Sequence, residues 1–316
     1  MSVLKKILES ISGNKGYKVS DQLLFDKVIG FKGVTNGVGV STIVQNVAIA
    51  LSETTNFSVC VVDTNFLFPV MSQMLASKQK LKDKDMLDFV SDISEVVDTT
   101  DYNNVYLLSL KNRNLVDLLS NKDSALLVER VINQLKTYFD IILIDLSNEL
   151  TNISTHMAVK CNKIYVVTDV SLKSIYHLKK SLNLIGSLAI PYSKMNNFII
   201  NKVIQESVVT LKGVLEDIEA NVVCEIPLEK DIALYGISGR RIWTKANVSE
   251  GINSMSQSID TIIDTMLNTN PLLEKYISDS KNSKVSQVQV QGVDKNKNQN
   301  DVVDIIEDDL DLDDDM

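Results

Sequence analysis

KGVTNGVGVST, residues 32–42, is the stretch on which the reading of this chain turns. It follows the apolar run Val28, Ile29 and Phe31 and precedes Ile43, Val47 and Leu51 at helical spacing. A glycine-rich bend between a strand and a helix can gather backbone N–H groups at a helix N-terminus, where an anion is welcome. Gly37 and Gly39 supply the permissive backbone, and Ser41 or Thr42 a hydroxyl for a magnesium ion. The Walker pattern G-x-x-x-x-G-K-[ST] wants a lysine where Val40 stands, and its first glycine falls on Val34. Taken alone, the stretch reads equally as a phosphate loop stripped of its lysines and as an ordinary glycine turn.

The surroundings weigh toward the first reading. Apolar, β-branched runs at Val28–Phe31, Val59–Val62, Val105–Leu108, Ile141–Ile144, Ile164–Val167, Phe198–Ile200 and Val222–Ile226 read as buried strands. Helical patterns such as SALLVERVINQLKTYF and SLKSIYHLKKSLNLI lie between most of them, and that alternation means parallel strands joined by crossovers. The expectation is one three-layer α/β domain over residues 27–270 with a mostly parallel sheet. Two of the strands end in acids, Asp63 and Asp145, with a helix expected after Pro69. Carboxylates at C-terminal strand ends face the crevice where an open parallel sheet binds ligands, and acids there suit the water shell of magnesium. Ser41, Asp63 and Asp145 are therefore the candidate metal residues.

Composition narrows the rest. The chain has 316 residues, 32 Lys and Arg against 41 Asp and Glu, and a net charge of −9. Residues 301–316 hold nine acids and no base, so residues 1–300 balance at 32 acids and 32 bases. A neutral body gives no global attraction to nucleic acid, and the lysines Lys173, Lys179 and Lys180 are the best local patch for it. They read most simply as one wet helix face. Six aliphatics stand among the tail's acids: Val302, Val303, Ile305, Ile306, Leu310 and Leu312. The tail reads either as a solubilising extension or as a recognition segment for a basic groove. Residues 271–316 are expected to be a disordered linker and acidic tail. Residues 1–26 are expected to hold an amphipathic helix (Val3, Leu4, Ile7, Leu8, Ile11) and a linker; the helix packs on the body, or lies on a membrane or a partner. No apolar run reaches the ~20 residues that span a bilayer, and no signal peptide is evident, which makes the cytoplasm the expected location. Cys60, Cys161 and Cys224 read as small buried hydrophobes, and His156 and His177 make no zinc spacing with them.

At this point the chain resembles the MinD/ParA-type P-loop ATPases, from about Lys27 to Ile263. GVTNGVGVSTIVQNVAIAL resembles the family's deviant Walker A with its helix, VVDTN the Walker A′ strand, and FDIILID Walker B. IYVVTDVSLKSIYHLKKSLNLI, NNFIINKV and CEIPLEKDIALYGISGR are similar to its later strands and closing segment. Within the family the chain looks most like the CpaE/TadZ branch, which localises pilus and secretion machinery and tolerates irregular Walker A loops. The resemblance implies a P-loop NTPase-like fold and ATP or ADP held with magnesium. The nucleotide would sit against Gly37, Val38, Gly39, Val40, Ser41 and Thr42, with Asn201 and the backbone around Pro227 bordering the adenine.

The departures from the family are specific. The signature lysine falls on Thr35, the Walker lysine on Val40, and the second acid of the A′ strand on Asn65. A charge-assisted bond to phosphate is worth roughly 1.5–3 kcal/mol, or about 10- to 100-fold in affinity. A missing cation can cost phosphoryl transfer about 10³–10⁵ in rate. Weak binding survives on this arithmetic; turnover is at most that of a weak ATPase, and no catalytic residue is assigned. Lys32, three residues before Thr35, is expected to point away from the site. Arg240 and Arg241 are expected to be a solvated pair. The expected function is a degenerate nucleotide-binding or pseudo-ATPase protein that acts as a localisation or scaffold factor for a pilus, secretion or conjugation machine. It would be a homodimer, with a protein partner at the acidic tail and peripheral membrane contact through the N-terminal helix. The alternative is an active ATPase of plasmid partition or division-site placement.

Overall fold

Each of the seven apolar runs forms a strand in the computed structural model, which describes residues 27–55, 57–65, 69–76, 81–109, 123–148, 151–187, 190–204 and 208–267. The strands are β1 (Val28–Gly33), β2 (Val59–Asp63), β4 (Val105–Ser109), β5 (Ile141–Leu146), β6 (Lys163–Asp169), β7 (Asn197–Val203) and β8 (Asn221–Pro227). A two-residue strand, β3 (Asp98–Thr99), is added at the edge and was not legible beforehand. Among the described residues the sheet has eight strands in the order β3-β4-β2-β5-β1-β6-β7-β8. Every pairing is parallel except β3 with β4. The expected N-terminal helix, the linker and the acidic tail lie outside the described residues.

The helices are α1 (Val40–Thr54), α2 (Met71–Leu75), α3 (Ser124–Tyr138), α4 (Asn152–Lys160), α5 (Leu172–Gly186), α6 (Val208–Asp217), α7 (Lys230–Ile237) and α8 (Glu250–Leu267). The period-two alternation of the strands divides their apolar side chains between two cores. Ile29, Phe31, Val59, Val61, Ile141 and Leu143 pack with α1, α2 and α8 on one face. Val28, Cys60, Val62, Ile142 and Ile144 pack with α3, α4, α5 and α6 on the other. The central strands are buried on both faces, which is why they read as continuous apolar runs. Cys60 and Cys161 are buried as expected, and Cys224 is half-buried.

The same parity positions the chemistry. Asp63 follows Val59 and Val61, and Asp145 follows Ile141 and Leu143, so both acids project on the face that carries α1. Parallel pairing of β2 with β5 sets Asp63 directly beside Asp145. β1 lies between β5 and β6, so the glycine bend at its end opens onto the middle of the sheet's C-terminal edge.

Candidate functional site

The bend between β1 and α1 keeps an open form because two of its glycines are left-handed, Gly37 at φ 85° and Gly39 at φ 98°. Gly39 immediately precedes α1, whose N-terminus carries no side-chain cap and no acid in its first turn. Those first amides are thus available to a ligand rather than to a neighbouring side chain. Any Cβ on Gly39 would lie 2.3 Å from Asn201 Nδ2. Glycine is demanded there by both conformation and contact.

β7 grips the bend from outside. Asn201 Nδ2 donates to Val38 O at 2.7 Å, and Lys202 Nζ donates to Gly37 O at 2.6 Å. Carbonyl and N–H point in opposite directions across a trans peptide, so these two contacts turn the amides of Val38 and Gly39 away from β7. The pairing of β7 with β8 slips between Ile200 and Val203, and Lys202 is left-handed at φ 56°. A bulge next to a site re-aims a side chain; here it sends the Lys202 ammonium to the loop. The residue pair Asn201-Lys202 acts as a latch that fixes the loop's shape.

Val40, at the position of the missing lysine, begins α1 and packs back toward β1. A Cβ on Gly33 would meet its Cγ2 at 3.1 Å and the Cγ2 of Val38 at 2.9 Å. Thr35, at the other missing lysine, shares a hydrogen bond with Ser174 of α5 (Oγ1 to Oγ, 3.1 Å). α5 holds the loop again through Ser181 Oγ, which donates to Val34 O at 3.2 Å. Across the bend, Asn148 Nδ2 donates to Asn36 Oδ1 at 2.8 Å. The loop is thus tied to its surroundings by neutral groups and by Lys202.

The structure brings the three candidate metal residues together. Ser41 Oγ donates to Asp145 Oδ2 at 2.6 Å. Asp63 accepts from the amides of Asn65 (2.9 Å) and Met71 (3.1 Å). Burial is the main cause that pushes the Asp145 carboxyl up to about 7; the adjacent Asp63 adds to it, and the Ser41 hydroxyl and Lys32 oppose it. Burial likewise pushes Asp63 up to about 6, against the amides of Asn65, Met71 and Val70. The two titrate as a pair rather than as separate groups. Two buried carboxylates side by side with a hydroxyl are a donor set that a hard divalent cation would relieve of its repulsion. Thr64 stitches the two strand ends together: its hydroxyl donates to Asp145 O at 2.8 Å and accepts from Ser147 N at 2.9 Å.

Of the remaining sequence-predicted residues, Thr42 faces α7, its Oγ1 3.9 Å from where a Cβ on Gly236 would stand. Pro227 ends β8 in register with Val203, one strand outward from Asn201. Lys32 corrects an expectation: it does not point away. Its ammonium donates to Ser147 O at the end of β5, and its charge reaches Asp145. A lysine inside the apolar strand VIGFKG was the signal for it. Lys202 was missed as well, although it follows Asn201 directly in the quoted NNFIINKV. Arg241 pairs with Glu53 at the end of α1, both side chains being largely exposed, in keeping with a surface role.

Comparison with known proteins bears on the fold. A family model described as AAA domain matches residues 26–200. The cell division ATPase MinD of Pyrococcus furiosus superposes with a TM-score of 0.60 at 19% identity, covering 76% of this chain and 100% of that one. A ParA family ATPase from Chlorobium tepidum gives 0.61 at 20% identity over 74% and 98%. The septum site-determining protein MinD complexed with Mg-ADP, from Pyrococcus horikoshii, gives 0.58 at 17% over 75% and 95%. No curated protein matches the sequence. The fold is thus the mostly parallel P-loop NTPase-like fold of MinD and ParA proteins.

Proposed function

We propose, because the chain belongs to the AAA domain family, that it is a nucleotide-binding protein of the MinD/ParA type that retains the phosphate cradle and has lost fast hydrolysis. The observation that carries this reading is the contrast within one site. The latched loop and the Ser41–Asp145–Asp63 group are intact, while positions 35 and 40 hold Thr35 and Val40. ATP or ADP would lie along the amides of residues 37–42, with Asn201 and the backbone at Pro227 toward the base. Magnesium would be held at Ser41, Asp63 and Asp145, where it would screen phosphate charge. The solved MinD relative complexed with Mg-ADP supports that assignment. The biological role we assign is CpaE/TadZ-like: a homodimeric localisation or scaffold factor for a pilus, secretion or conjugation machine. It would work at the cytoplasmic face of the membrane, with the N-terminal helix and acidic tail as docking elements. The described residues hold no helix long and apolar enough to cross a membrane.

Calorimetry of the full chain with ATP, with and without magnesium, tests the reading, together with a phosphate-release assay. The expected result is weak, magnesium-dependent binding with phosphate release at background. No binding at millimolar ATP removes the proposal. Brisk magnesium-dependent release abolished by Asp145→Ala would replace it with an active ATPase of partition or division-site placement, a reading that the intact carboxylate pair favours.

A further inference from the structure

Beyond the nucleotide site, α5 presents a face that the fold leaves bare. Leu172 is 83% exposed and Tyr176, one turn later, is 78% exposed. Two large apolar side chains at i and i+4 form a continuous stripe on a helix surface. At about 100° per residue Lys173 and Lys180 stand together on one side of it, both exposed, and Leu172–Gly186 contains no acid at all. The nearest carboxylate along the chain, Asp169, is engaged by Ser171 through its amide and hydroxyl at 3.1 and 2.6 Å. The face is therefore an apolar stripe with a positive margin along one side.

One segment of the same chain has the opposite character. Residues 301–316 combine nine acids with six aliphatics and no base. The two compositions are complementary in charge and alike in apolar content. We propose that this face of α5 is the docking surface for the chain's own C-terminal segment, residues 301–316.

The connection has the right reach. α8 ends at Leu267 near the start of β6, since Lys163 Nζ lies 3.5 Å from Thr265 O. α5 begins beyond the other end of β6. The separation is therefore the length of β6, about 23 Å at 3.3 Å per residue, plus the crossing from one face of the sheet to the other. Residues 268–300 are 33 residues of mostly polar sequence. If they formed a flexible coil, their r.m.s. span would be about 30 Å. A tether whose span matches its sites gives an effective concentration of about millimolar, so even a weak contact is occupied. Through Ser174 and Ser181, α5 also holds the phosphate loop at Thr35 and Val34. A seated tail thus lies beside the nucleotide crevice, and a partner that captures the tail must first release it from α5.

The test is photo-cross-linking in the full chain with Tyr176→benzoylphenylalanine, using mixed isotope-labelled and unlabelled protein. The expected product is a link to residues 301–316 within one chain. It should fall at least tenfold in the Lys173→Glu/Lys180→Glu background, with an unchanged melting temperature. Raised salt, or excess synthetic peptide 301–316, should suppress it as well. A link to another segment, a link between labelled and unlabelled chains, or no link overturns the proposal. So does protection of residue 176 by duplex DNA but not by the peptide, which would make the face a nucleic-acid surface.

Discussion

Replacing Asp145 by asparagine should make this protein more stable, and by an amount that depends on pH. The Asp145 carboxyl lies in register with Asp63, is 4% exposed, and is held up at about 7 against about 4 for a free aspartate. The folded state therefore keeps a proton on the pair through a range where the unfolded chain has already released it. Stability falls as pH rises between those two values, because there the native state binds more protons than the unfolded one. Above the upper value the full penalty is present; below about pH 4 it vanishes. Three pKa units correspond to about 4 kcal/mol, an upper figure for a pair that shares its proton. The amide oxygen of the substituted side chain would still accept from Ser41 Oγ, and the exchange would remove both the buried charge and the repulsion with Asp63. Urea unfolding in EDTA should give the D145N chain about 2–4 kcal/mol more stability at about pH 8 and almost none at about pH 4. Magnesium should then stabilise the parent chain at about pH 8 and leave the variant unmoved. A variant less stable at the higher pH, or one with the same gain at both pH values, would refute the account of the carboxylate pair.

Gly39→Ala forces a left-handed alanine against Asn201 Nδ2; it should cost about 2–3 kcal/mol in chemical denaturation and weaken nucleotide binding. Pairing it with Asn201→Ala should recover part of that loss, a coupling that strict additivity would contradict. Lys32→Met removes the cation that opposes the rise at Asp145, so it should lower stability at about pH 8 more than at about pH 5, read from paired urea curves. Val40→Lys restores the absent cation at the start of α1 and should tighten ATP binding about 10- to 100-fold by calorimetry. An unchanged affinity would mean that phosphate does not lie at this loop.

Much of this architecture was written in local sequence. The seven long strands announce themselves because a parallel sheet covered on both faces needs uninterrupted β-branched runs, as in IILID and VCVVD. The acids were legible for the related reason that a carboxylate ending such a run has nowhere to go but the crevice. β3 was hidden because two residues carry no periodicity, and Asp98–Thr99 owes its strand geometry to the neighbouring β4. The latch was hidden differently. Asn201 and Lys202 reach the loop from 163 and 165 residues away, through a bulge that appears only when β7 and β8 are paired. Lys32 was misjudged because strand parity sets it on the face opposite Asp145, whereas its long stem carries the ammonium to the strand end shared by both.

These particulars bear on how a loop without its lysines keeps its form. A phosphate loop needs both its bend held and its phosphate's charge met, and a lysine after the last glycine reaches the phosphate. In this chain the first task is taken by Asn201 and Lys202 from β7, by Ser174 and Ser181 from α5, and by Asn148 beyond β5. The contacts of Asn201 and Lys202 turn the amides of Val38 and Gly39 away from β7. Loop shape and phosphate charge compensation are thereby separated. Shape is secured by the scaffold, and on the proposed function charge would be left to the helix N-terminus and to magnesium at the carboxylate pair. A ground-state phosphate can be held by fixed amide dipoles, whereas the transferring phosphoryl group needs a cation placed on its developing charge. That division is why Val40→Lys is expected to act on affinity at once, yet to leave turnover slow until position 35 is charged as well.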